Sequence, residues 1–151
     1  RPLRRSYRYR CVSLEVDMRE EEIRARQMVA KACQWVRLHP DKWEKLKGFC
    51  TYLVSKGDLI QRGNVYELAR HYGMDVKLAS EFKRDHNLWS VLSRYMVMEN
   101  PNLLSAIRFR RTPIDSVDLL SFWRNIVGTD EFVADSLSHA QRIFNSRRCL
   151  I

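Results

Sequence analysis

Residues 19–57 read REEEIRARQMVAKACQWVRLHPDKWEKLKGFCTYLVSKG, and this stretch decides the fold class. Ala25, Met28, Val29, Ala32, Cys33 and Val36 recur at i, i+3, i+4, i+7, i+8 and i+11. That spacing is one face of an α-helix, not the alternation of a strand. Trp35 widens the stripe, and Glu20, Glu21 and Glu22 read as its dipole-stabilised first turn. Pro40 ends this helix and suits the first position of the next. There Trp43, Leu46, Phe49, Cys50, Leu53 and Val54 make a second apolar face, and Gly57 stands where a left-handed cap belongs. Gly48 inside this helix costs about 1 kcal/mol relative to Ala. A close helix crossing is the expected reason for it.

The pattern repeats outward from there. Asn64 with Glu67 reads as a capping box, followed by Val65, Leu68, Ala69 and Tyr72 on an inward side and ended by Gly73. Residues 74–86 suit either a short helix or a packed loop. Asp85 or Asn87 then caps a helix carrying Leu88, Val91, Leu92, Tyr95 and Met96. Asn100-Pro101 opens another through Leu103, Leu104 and Ile107. Thr112-Pro113 opens one through Ile114, Val117, Leu120 and Trp123, ended by Gly128. Thr129 is expected to cap the last, with Asp130 and Glu131 in its first turn and Phe132, Val133, Leu137, Ala140 and Phe144 inward. No hairpin signal and no repeat period is visible. The expectation is an all-α, compact bundle of about six to seven short amphipathic helices.

Within 151 residues this is one domain, over 19–151, preceded by a basic arm over 1–18. Val12, Leu14 and Val16 alternate weakly, so residues 7–16 read as a short strand or an extended segment. The net charge is +9. Residues 1–14 hold Arg1, Arg4, Arg5, Arg8 and Arg10 and no acid, which is +5 of that total and leaves +4 for the rest. Tyr7 and Tyr9 interleave with these arginines. Guanidinium forks bind phosphate and phenol rings stack on bases, while a solvated tail is the plainer account. No apolar run approaches the roughly 18 residues of a membrane span. Residues 11–22 lack the apolar centre of a secretory signal.

Cys11, Cys33, Cys50 and Cys149 form no C-x-x-C pair and have no histidine at zinc spacing, so no metal and no cofactor is expected, and a reducing cytoplasm is. His39, His71, His86 and His139 are scattered. Asp85-His86 beside Lys83-Arg84 offers one carboxylate near a histidine, where a metal nuclease needs several. No catalytic residue is assigned and no enzyme expected. Trp35, Trp43, Trp89 and Trp123 sit on helix stripes and read as core.

Two basic groups remain. Leu68, Ala69 and Gly73, followed by Val76, Ala79 and Phe82, resemble the helix-turn-helix superfamily. On that reading Lys77, Ser80, Lys83 and Arg84 face a DNA groove. Against it, Ala-x-x-x-Gly at a helix end is common, and Lys83-Arg84-Asp85-His86-Asn87 reads as a polar connection. The second group is Arg108, Arg110 and Arg111 around Phe109, with no acid between Pro101 and Pro113. Together with Lys83, Arg84, His86 and Arg94 it makes an expected basic surface; solvated ion pairs are the plainer account of any one member.

The stretch from about Trp43 to Asp115 also resembles a set of small helical proteins of bacteriophages and integrated elements. The resemblance lies in Trp43 through Gly57, Val65-Tyr66-Glu67-Leu68-Ala69-Arg70, Phe82 through Asn87, Arg94, Pro101 and Phe109-Arg110-Arg111. It covers about half of the chain and brings no activity with it. It implies a cytoplasmic, DNA-associated setting and a loop at 82–87. The expected function is binding of nucleic acid, double-stranded DNA ahead of RNA, by phosphate contacts from Arg4, Arg5, Arg8, Arg10, Lys77, Lys83, Arg84, Arg108, Arg110 and Arg111. The alternative is a helical protein-interaction module, an adaptor or inhibitor whose charge steers it to an acidic surface.

Overall fold

The first helix, α1, spans Pro2–Leu38 in the computed structural model. The model describes the backbone of residues 2–72, 86–129 and 132–149, with side chains over 19–72, 87–129 and 132–147. Between Pro2 and Pro40 there is no other proline and no glycine. Helix extension is inexpensive once a turn exists. It therefore overrides the weak alternation at 7–16, and the short strand or extended segment expected there is helical instead. Glu20, Glu21 and Glu22 consequently lie within the helix rather than in its first turn. Glu22 pairs with Arg26 one turn on, at 2.9 Å.

The stripe read from α1 is the one that is buried: Ala25, Val29, Ala32, Cys33, Trp35 and Val36. After His39, α2 runs Pro40–Ser55 with its proline in the first turn and buries Trp43, Leu46, Cys50 and Leu53. Gly57 takes φ +74°, the Asp58 N–H donates to the Leu53 carbonyl and the Gly57 N–H donates to the Val54 carbonyl. This is a Schellman closure of the helix end. Gly48 is exposed, and a Cβ built on it meets nothing within 4 Å, so no close crossing accounts for it.

α3 covers Arg62–His71 and starts earlier than Asn64. Its cap is Gln61, which makes no side-chain hydrogen bond. Asn64 lies within the first turn and donates its amide back to the Leu59 carbonyl at 2.9 Å, so the expected capping box does not form. Val65 and Ala69 are buried, whereas Tyr72 is exposed. Gly73 and residues 74–85, with the second helix of any helix-turn-helix, lie outside the described residues.

α4, His86–Glu99, is the axis of the bundle. Asn87 is inside it rather than capping it. Every residue from Val91 to Met98 is buried, as befits a helix covered on all sides. Tyr95 donates to the Leu119 carbonyl at 2.7 Å and lies 3.2 Å from the Cys33 thiol. Its ring packs at 4.8 Å from Trp123, which in turn meets Phe132 at 4.9 Å.

Asn100-Pro101 and Thr112-Pro113 each open a single 3-10 turn, Pro101–Ser105 and Pro113–Ser116, and not the α-helices expected. Val117 is extended, and α5 starts afresh at Leu119–Ile126 with the Asp118 carboxylate accepting from the Ser121 N–H. Gly128 ends the segment at φ +84°. The last helix, α6, is Leu137–Cys149 and does not begin at Thr129. The Val133 and Ala134 N–H groups both donate to the Met98 carbonyl, closing the end of α4 with loop backbone. The side chain that caps α6 is Ser136, which accepts from the His139 N–H. The architecture is all-α, six helices in a bundle, with no strand among the described residues.

Candidate nucleic-acid interface

The loop between the two 3-10 turns is held from beneath by Arg94. This side chain is 2% exposed. Its Nε donates to Asp115 Oδ1 at 2.8 Å, Nη1 to the carbonyl and hydroxyl of Ser90, and Nη2 to the Arg110 carbonyl at 2.9 Å. Its guanidinium carbon lies 5.1 Å from the Phe109 ring centroid. Arg94 is thus a buried clamp and not part of a basic surface, which corrects the expectation from sequence. A charge taken out of water is retained only with such partners. Burial works against ionised Asp115. The Arg94 hydrogen bond, the Thr112 N–H and the charges of Arg94 and Arg111 outweigh it and hold the carboxyl below its ordinary range.

With the Arg110 carbonyl turned to the clamp and Phe109 half-buried, the Arg108, Arg110 and Arg111 side chains are exposed. Arg108 and Arg110 line a groove of about 610 Å³. Its other side comes from the start of α3 and the start of α4, through Arg62 and Trp89. A backbone hydrogen bond joins the approach to α3 to the arginine loop: the Ile60 N–H donates to the Ala106 carbonyl at 2.8 Å. No described lining residue is Asp or Glu. Arg111 faces different company. With Arg110 it lines a neighbouring cavity of about 540 Å³ that also holds Asp115, Asp118 and Asp135.

The remaining residues of the expected nucleic-acid set fall outside the described side chains. Arg4, Arg5, Arg8 and Arg10 stand on the N-terminal turns of α1, with positions 4 and 8 one turn apart. Their side chains lie outside the described residues, as do Lys77, Lys83 and Arg84 altogether. Arg62 and Trp89 were not legible as site residues. Trp89 was read as core with Trp35, Trp43 and Trp123; those three are buried, and Trp89 is only half-buried. Arg62 carried no signal, because its place beside Arg108 depends on the Ile60–Ala106 contact.

Among the described residues no group of three or more His, Cys, Asp or Glu is placed to hold a metal ion. His139 Nδ1 lies 2.8 Å from Asp135 Oδ1 on the protein surface, and this pair holds the Asp135 carboxyl below its usual range. No described helix is long and apolar enough to cross a membrane.

No family model, curated protein or solved structure matches the chain.

Proposed function

We propose that the protein binds nucleic acid, duplex DNA ahead of RNA, through arginine contacts to phosphate oxygens. The observation that carries this reading is the groove whose described charges are all arginine. Arg62, Arg108 and Arg110 converge on it, and the Arg94 charge below them is matched by Asp115 on its far side. Guanidinium groups in such a setting favour phosphate, which they hold by paired N–H donors. The +9 net charge and the arginines of the first turns of α1 act in the same direction at longer range. The role is one of binding, without a chemical step. The free, buried thiols of Cys33 and Cys50 suit a reducing cytoplasm.

The test is binding of random duplex, single-stranded DNA and RNA across a salt series. Replacing Arg108 and Arg110 with Gln is expected to weaken binding about equally for all duplex sequences. Each lost phosphate contact flattens the salt slope by roughly one unit. Absence of binding to every nucleic acid at low salt overturns the proposal.

A protein-interaction module is the second reading, favoured by Tyr52 and Tyr72, which are exposed on α2 and at the end of α3. Tyr72 stacks on Phe49 at 6.2 Å, forming an aromatic surface separate from the arginine groove. Replacement of Tyr52 and Tyr72 with Ser that abolishes capture of a protein partner, with nucleic-acid affinity untouched, decides for it.

A further inference from the structure

Arg62 Nη1 is buried and has no hydrogen-bond partner among the described residues. Leaving a charged donor buried and unpaired is costly, so such a nitrogen in a groove points to an acceptor that the described residues do not supply. An anionic acceptor is favoured there, because Arg108 and Arg110 share the groove and no described carboxylate lines it. The groove also has an aromatic wall. Trp89 lines it half-buried, while one face of Phe109 is taken by Arg94. At about 610 Å³ it is within the range of small-molecule sites, roughly 300–1,000 Å³.

A duplex backbone offers phosphates but keeps its bases stacked inside, so it does not fill a recess with an aromatic wall. An unpaired nucleotide supplies both an anion and a flat ring. We propose that the groove takes one unpaired nucleotide of a DNA strand, its phosphate on Arg62, Arg108 and Arg110 and its base against Trp89. This rests on the nucleic-acid reading above and narrows its ligand to DNA that exposes unpaired nucleotides, such as an end or a gap.

The test uses the full chain, a labelled oligothymidylate and a blunt duplex of mixed sequence. Trp89→Leu is expected to weaken oligothymidylate binding about tenfold or more, since stacking is lost, and to leave duplex binding unchanged, whereas Arg62→Gln, which removes a phosphate contact, is expected to weaken both. Trp89→Phe, which keeps a ring, is expected to restore most of the affinity. Circular dichroism checks that each variant folds; should Trp89→Leu fail to fold, Arg62→Gln and Trp89→Phe carry the comparison. Thymidine 5′-monophosphate is expected to compete far less well than the oligomer. Equal competition overturns assignment to a strand. Duplex binding that depends on Arg108 and Arg110, with oligothymidylate binding indifferent to Trp89 and Arg62, overturns the groove as a nucleotide site and leaves the broader reading standing. No binding of either probe at low salt removes both.

Discussion

The guanidinium of Arg94 and the carboxylate of Asp115 meet at 2.8 Å, joining the middle of α4 to the 3-10 turn Pro113–Ser116. Arg94 is 2% exposed at the side chain and Asp115 25%, so one partner is sealed in and the other reaches water. The same arginine holds the Arg110 carbonyl, and Asp115 accepts from the Thr112 N–H at 3.0 Å. The pair therefore fixes the C-terminal end of the loop that carries Arg108 and Arg110, while the Ile60–Ala106 hydrogen bond holds its other end.

Asp115→Ala is expected to destabilise the protein by about 3 kcal/mol, because it leaves the guanidinium buried without its counter-charge. Arg94→Met removes the charge along with the partner and is expected to cost less. Urea denaturation midpoints measure both; equal midpoints for wild type and Asp115→Ala contradict the clamp.

The pH dependence has a definite sign. The fold lowers the Asp115 pKa from 3.8. The ionised form is favoured in the native state, so the stability that this pair contributes is complete above the unfolded value of 3.8 and is lost as pH falls through the lower folded value. The stability difference between wild type and Asp115→Asn is expected to shrink over that acid range. A difference that grows on acidification reverses the assignment.

Two glycines are expected to respond to alanine in opposite directions. Gly57→Ala places a Cβ at φ +74° and is expected to destabilise by about 1 kcal/mol. Gly48→Ala sits in an exposed turn of α2 with open space around it and is expected to stabilise by about 0.5–1 kcal/mol. Thermal unfolding of the two single variants reads the contrast.

The buried thiols are expected to be inert. Burial pushes Cys33 up to about 11, against a weaker opposing hydrogen bond with Tyr95, and Cys50 up to about 12. The thiolate is the reactive form. With Cys11 and Cys149 changed to Ser, native protein is expected to react slowly with iodoacetamide at mildly alkaline pH, and denatured protein rapidly. Fast labelling of the native state contradicts the packing around Cys33 and Cys50.

Removing residues 1–10 is expected to weaken duplex binding and flatten its salt slope, because five arginines leave with them. The melting temperature is expected to hold, since among the described residues the core positions of α1 start at Ala25. An unchanged binding curve assigns the segment no part in recognition.

The groove was only half legible from sequence. The absence of acids between Pro101 and Pro113 marked Arg108 and Arg110, which line it, but also Arg111, which turns toward Asp115, Asp118 and Asp135. Arg94 looked like one more surface arginine. Nothing local distinguishes an arginine that will find a carboxylate 21 positions later from one that stays in water. Arg62 and Trp89 join the groove through contacts remote in sequence.

The sequence by itself determined what depends on neighbours within a turn or two. The stripes of α1, α2 and α4 followed from apolar spacing, Gly57 as a cap from its left-handed tolerance, and the basic bias from composition. Tertiary structure decided where competing local signals were close in energy. The Asn100-Pro101 and Thr112-Pro113 devices became single 3-10 turns, because Arg94 and the Ile60–Ala106 hydrogen bond claim the chain between them. Residues 132–136 stayed out of α6 because the Met98 carbonyl claims the Val133 and Ala134 N–H groups and the Trp123 ring packs on Phe132. A local cap is worth about 1 kcal/mol, and burial of an aromatic side chain together with paired backbone groups exceeds it.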